Sequence, residues 1–152
     1  MNLEKEEPQK KQKLPIKEEI LIPISIFNNP SLSALETVVK FLKENKNIRG
    51  VDIAKLLKRN DKTIYTTYNK TSKKLFEQFP EQLIAESEFF IPVSAIADRT
   101  SAPLEALVKF LKDKLNLRFV VIAKLLNRDP RTVWTVYNRK KNQKNKTKNA
   151  DN

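Results

Sequence analysis

The stretch Val121-Ile122-Ala123-Lys124-Leu125-Leu126-Asn127-Arg128-Asp129-Pro130-Arg131-Thr132-Val133-Trp134 decides how this chain reads. A second version, Asp52-Ile53-Ala54-Lys55-Leu56-Leu57-Lys58-Arg59-Asn60-Asp61-Lys62-Thr63-Ile64-Tyr65, lies 69 residues earlier. Working outward, the match continues without a gap until residues 19–70 lie on 88–139, with roughly every second position identical. Ile22-Pro23 falls on Ile91-Pro92, Val39-Lys40-Phe41-Leu42-Lys43 on Val108-Lys109-Phe110-Leu111-Lys112, and Tyr68-Asn69 on Tyr137-Asn138. Chance composition does not produce such a register. The chain is a duplicated module.

Each copy predicts a short extended segment and three helices. Ile20–Phe27 and Phe89–Ile96 are apolar runs in which Ile22, Ile24 and Ile26 alternate with Pro23 and Ser25, a period of two. Their prolines suit an edge strand. After a polar break, Ser33 with Glu36 has the form of a capping box, and Pro103 suits a first helical turn. Leu35, Val38, Val39 and Leu42 then form an apolar stripe, repeated by Leu104, Leu107, Val108 and Leu111, with Lys40 and Lys43 on the opposite face. A short second helix follows over Val51–Leu57 and Val120–Leu126, then a turn, then a third helix over Lys62–Lys70 and Arg131–Lys141. The expected fold class is mainly all-α: two tandem three-helix modules, each preceded by a short extended or β segment.

Two helices joined by so tight a turn form a helix-turn-helix arrangement. The stretch 121–134 resembles the helix-turn-helix signature of bacterial and archaeal transcription regulators, and is similar to sigma-factor region-4-like and transposase-type domains. Ala123 and Ala54 match the small residue at which the family's two helices cross; Ile122, Leu126 and Val133, with Ile53, Leu57 and Ile64, match its buried positions. The departure is at the turn, where the family often carries glycine and this chain has Asn127 or Lys58. The signature spans about 20 residues per copy and gains specificity by occurring twice in register.

Composition narrows the function. The 152 residues include 30 Lys+Arg and 18 Asp+Glu, a net charge of +12, with no histidine or cysteine and a single glycine, Gly50. This removes zinc fingers, disulfide frameworks, thiol nucleophiles and Gly-rich phosphate loops. No carboxylate cluster or nucleophile–base pair stands out, so neither an enzyme, a cofactor nor a metal site is expected. The apolar runs are far shorter than the roughly 20 residues a membrane helix needs. Each copy carries +4 and the tail a further +4, which points to a polyanionic partner or an acidic membrane surface; together with the helix-turn-helix resemblance the expected partner is double-stranded DNA. The expected division is 1–18 a disordered charged arm, 19–70 module one, 71–87 a linker for which a packed helix is one reading, 88–139 module two, and 140–152 a disordered basic tail.

If the third helix enters a major groove, its first turn and outward face meet base edges. With Val133 and Val136 turned inward, the outward set is Arg131, Thr132, Trp134, Thr135 and Asn138, and in the first copy Lys62, Thr63, Tyr65, Thr66 and Asn69. Arginine can address guanine, asparagine adenine, and threonine a thymine methyl. Candidate phosphate contacts are Arg49, Lys55, Arg59, Arg118, Lys124, Arg128, Arg139, Lys140 and Lys141. Trp134 and Tyr65 read equally well as packed aromatics closing a small core; Tyr68 and Tyr137 read as structural, resting on the first helix.

The expected function is sequence-specific duplex binding in transcriptional regulation, in a cytoplasmic, nucleoid-associated setting. The alternatives are an architectural nucleoid protein, the DNA-binding component of a recombination or transposition system, and a protein-binding adaptor. Modules this small bury little core alone, so the copies are expected to pack together, their extended runs pairing about a pseudo-two-fold axis. A 17-residue linker spans about 56 Å extended and about 26 Å as a helix, against the roughly 34 Å between adjacent half-sites.

Overall fold

Pro23 and Pro92 end two three-residue strands and start two single helical turns. In the computed structural model, which describes residues 19–78 and 87–139, β1 (Leu21–Pro23) pairs antiparallel with β2 (Phe90–Pro92). The register is Leu21↔Pro92, Ile22↔Ile91 and Pro23↔Phe90. Shifting each residue by the repeat offset returns the same pairs, so a local two-fold axis passes between Ile22 and Ile91. The ladder continues symmetrically, with Ile24 N donating to Phe89 O and Val93 N to Ile20 O, both at 2.9 Å. Bonded pairs alternate with unbonded ones along an antiparallel ladder, so each proline falls one residue off a bonded pair, where no N–H is required.

The extended runs are shorter than their apolar alternation predicts. Beyond each proline the chain turns helical, as a 3₁₀ turn over Ile24–Phe27 and an α-turn over Val93–Ile96. Proline's fixed φ leads into a helix start, and burial of both Ile24 and Phe27 overrides the two-residue period.

The helices follow. The first half has α1 (Ala34–Lys40), α2 (Gly50–Leu57) and α3 (Asp61–Gln78). The second has α4 (Pro103–Lys109), α5 (Phe119–Leu126) and α6 over 130–139. The capping box is formed: Glu36 N donates to Ser33 Oγ at 3.2 Å, and Ser33 N to Glu36 Oε1 at 3.0 Å. Pro103 occupies the first turn of α4. Both first helices widen into a π-turn, Phe41–Asn45 and Phe110–Lys114, and stop at Asn47 and Asn116 with φ of 53° and 54°. Asparagine is the residue besides glycine that best tolerates this left-handed stop.

Two sequence expectations are corrected. Helix α3 does not end near Lys70 but runs eight residues into the expected linker. Thr71 there is fully buried, and Lys74 pairs with Glu36 of α1 at 2.7 Å. Lys40 is not on a solvent face: it is 7% exposed, with its ammonium on Glu44, whereas Lys109 at the matching position is exposed. The arm 1–18, most of the remaining linker and the tail 140–152 lie outside the described residues.

One core unites the halves. Ile22, Val38, Leu42 and Ile53 belong to the same buried cluster as Ile91, Val108, Leu111 and Ile122. The packing is crossed: α5 packs on the turn Ile24–Phe27 of the first half, and α2 on the turn Val93–Ile96 of the second, while α1 meets α4 near the axis. Each strand-and-turn thereby completes the helical core of the opposite half.

Candidate nucleic-acid interface

In both halves three residues separate the second helix from the third, and the first of them is left-handed. Lys58 has φ 54° and ψ 44°, and Asn127 φ 50° and ψ 48°. Arg59 N and Arg128 N then donate back to Ala54 O and Ala123 O at 2.9 Å, closing the helix ends. The third helices are capped by Asn60, whose Oδ1 accepts from Thr63 N at 2.8 Å, and by Asp129, whose Oδ1 accepts from Arg131 N at 2.7 Å.

These turns point one face of α3 and α6 inward and leave the other in solvent. Ile64, Val133 and Val136 are buried, at 2%, 1% and 5% exposure. Lys62, Tyr65 and Thr66 are exposed, as are Arg131, Thr132, Trp134 and Thr135; Thr63, Asn69 and Asn138 are half-buried. The two aromatics are not core residues: Tyr65 is 70% and Trp134 56% exposed. Some polar groups on this face are engaged with their own helix. Thr135 Oγ1 donates to Arg131 O and Asn138 Nδ2 to Trp134 O, each at 2.8 Å. In this rotamer the Asn138 amide is committed to its own helix, and bidentate pairing with adenine requires the side chain to turn.

The cationic set divides. Lys55, Lys124 and Arg118 are exposed, and Arg49 is exposed as well, with its Nε on Asp52 at 2.9 Å. Arg128 stands apart: it donates to Pro30 O at 3.0 Å and Leu32 O at 2.9 Å across the seam between halves. Arg59, its counterpart, is half-buried beside Arg99, and burial followed by that like charge lowers its pKa below the usual arginine range. Arg139, although exposed, pairs with Glu105 at 3.1 Å and ties α6 to α4. Arg128 and Arg139 are thus engaged with the fold, whereas Arg59 is held half-buried with its Nε lacking a hydrogen-bond partner among the described residues. Lys140 and Lys141 lie outside the described residues.

Tyr68 and Tyr137 serve the framework. The Tyr68 hydroxyl donates to Glu44 Oε1 at 3.0 Å, and the Tyr137 hydroxyl to Asp113 Oδ1 at 2.8 Å. Burial and then the Glu44 contact raise the pKa of Tyr68, and the Asp113 bond followed by burial raises that of Tyr137, so both remain neutral donors. As candidate site residues, sequence reasoning missed Lys43 and Lys112, which sit over the rings of Tyr68 and Phe119 at 5.1 and 4.6 Å. The signal that could have found them is their repetition, each lysine preceding the carboxylate, Glu44 or Asp113, that holds the tyrosine hydroxyl.

Among the described residues, no cluster of carboxylates gathers to hold a metal, and no helix is long and apolar enough to cross a membrane. Comparison with protein-family models, curated proteins and solved structures finds no match to this chain.

Proposed function

We propose that this protein binds duplex DNA through two helix-turn-helix modules, with α3 and α6 as the reading helices, and that it regulates transcription. The observation that carries this reading is the outward row repeated on both third helices. Each row sets a large exposed aromatic, Tyr65 or Trp134, beside threonines and a cation, Lys62 or Arg131, directly after a three-residue turn. An aromatic with this much surface in water contributes little to the fold and is suited to stacking or apolar contact with a base edge. Lys55, Lys124 and Arg118 supply phosphate contacts beside it.

The local two-fold at Ile22 and Ile91 supports a target with two inverted half-sites, since the symmetry of a protein is mirrored in the palindromy of its site. Selection from a random duplex pool is therefore expected to return a spaced inverted repeat. The double variant Arg131→Ala with Trp134→Ala is expected to lose sequence preference while retaining weak, salt-sensitive binding through lysines. No duplex binding at low salt, or an unchanged preference in the double variant, refutes the proposal. Strong binding without any selected sequence favours the architectural alternative.

A further inference from the structure

Around the start of the second helix one replacement between the halves stands out. In the second half Phe119 opens α5. Its ring meets Tyr137 edge-on, with centroids 5.2 Å apart and planes at 67°, and Lys112 Nζ stands 4.6 Å above it. The matching residue in the first half is Gly50, and a Cβ placed there meets nothing within 4 Å. The residue types around the missing ring are nonetheless retained: Tyr68 stands for Tyr137, Lys43 for Lys112 and Arg49 for Arg118. The result is a cleft of about 530 Å³, lined by Lys43, Arg49, Gly50, Tyr65, Tyr68 and Asn69, with Val51 and Ile64 adding apolar wall.

We infer that this cleft binds one nucleotide, its base lying where the Phe119 ring lies in the second half and its phosphate meeting Lys43 and Arg49. In the second half an aromatic ring lies between the tyrosine and the lysine; in the first, Lys43 Nζ stands 5.1 Å over the Tyr68 ring instead, so a base entering the cleft lifts the ammonium off the tyrosine and takes its place. Lys43 and the guanidinium N–H groups that Arg49 keeps beyond its Nε bond to Asp52 can meet a phosphate, and the Asn69 amide suits the hydrogen-bonding edge of a base rather than a plain hydrocarbon ring. Asp61, also at the rim, disfavours a phosphate on its side and can accept from an exocyclic amino group. The same chemistry has two sources, a free mononucleotide or a base within a bound strand. The second rests on the proposed DNA binding, because Tyr65 and Asn69 belong to both the cleft and the outward face of α3.

The test uses the full chain and the variants Gly50→Phe, which restores the ring found in the second half, and Gly50→Ala, which leaves the cleft open. Amide NMR follows titration with nucleoside 5′-monophosphates, and fluorescence follows single-stranded and duplex oligonucleotides carrying 2-aminopurine. Wild type and Gly50→Ala are expected to show saturable shifts at residues 43, 49–51 and 68–69, and Gly50→Phe to bind about tenfold or more weakly. Shifts with monophosphates identify a free nucleotide; a response confined to 2-aminopurine strands identifies a strand-borne base. Absence of both responses, or equal binding by Gly50→Phe, overturns the inference. Duplex affinity measured by anisotropy on the same samples keeps the two readings separate: its absence in wild type refutes DNA binding, while the monophosphate titration still decides the cleft.

Discussion

Replacing Ile91 by alanine tests whether the two halves are one folding unit. Ile91 is fully buried, pairs with Ile22 on the local two-fold axis, and belongs to the cluster that includes core residues of both halves. Truncating a buried isoleucine costs about 2–5 kcal/mol, a large share of the roughly 5–15 kcal/mol that holds a domain together. For a unit of about 110 residues this lowers the midpoint of thermal unfolding by roughly 8–20 °C. In urea the midpoint is expected to fall by about 1–2 M with an unchanged slope. Circular dichroism and Trp134 fluorescence, which report on the whole fold and on α6, should give coincident single transitions, both displaced. Ile22→Ala should behave alike. Two separate transitions in Ile91→Ala, one of them at the wild-type position, would show independent modules and refute the shared core.

Lys58→Gly removes a β-carbon from a left-handed position and is expected to raise stability by roughly 1 kcal/mol, with a smaller gain for Asn127→Gly; paired urea melts check this. Glu36 gives a pH signature. Burial opposes its charge, but Lys74 and the bonds from Ser33 together hold its pKa below the usual carboxylate value. A depressed folded pKa means that the ionised group stabilises the fold above the unfolded value of about 4.3 and that this contribution disappears as the pH falls through the folded value. Glu36→Gln, which can keep the capping box, should therefore be less stable than wild type at pH 7, by roughly 1 kcal/mol or less because Lys74 is half in water, and should converge with it in acid.

Much of the architecture was legible because it rests on local chemistry. Of the stripe Leu104, Leu107, Val108 and Leu111 the last three are the buried face of their helix and Leu104 is half-buried, Ser33 and Glu36 form their box, and the expected pairing of the extended runs is present. What was not legible depends on distant partners. The sequence suggests a helix in the linker, but not that it continues α3: Thr71 and Lys74 hold the extension against Glu36, contacts 35 and 38 residues away that no periodicity announces. Lys40 looks like a solvent lysine by helical position and is buried by what packs over it. At the candidate interface, the inward set Ile64, Val133 and Val136 followed from spacing. Arg128 could not be told from Arg131 by residue type, since its use depends on carbonyls of Pro30 and Leu32 brought up by the opposite half.

The crossed packing has a consequence for concentration. A homodimer held by such contacts comes apart on dilution, and its occupancy of a two-part target then falls faster than its abundance. Here the two halves are tethered, so each meets the other at a fixed effective concentration however few molecules are present. Fusion also releases the halves from identity. Two copies of one polypeptide must change together at every site, whereas this chain can hold a phenylalanine at 119 and a glycine at 50, and so can keep a common frame while giving its two ends different tasks.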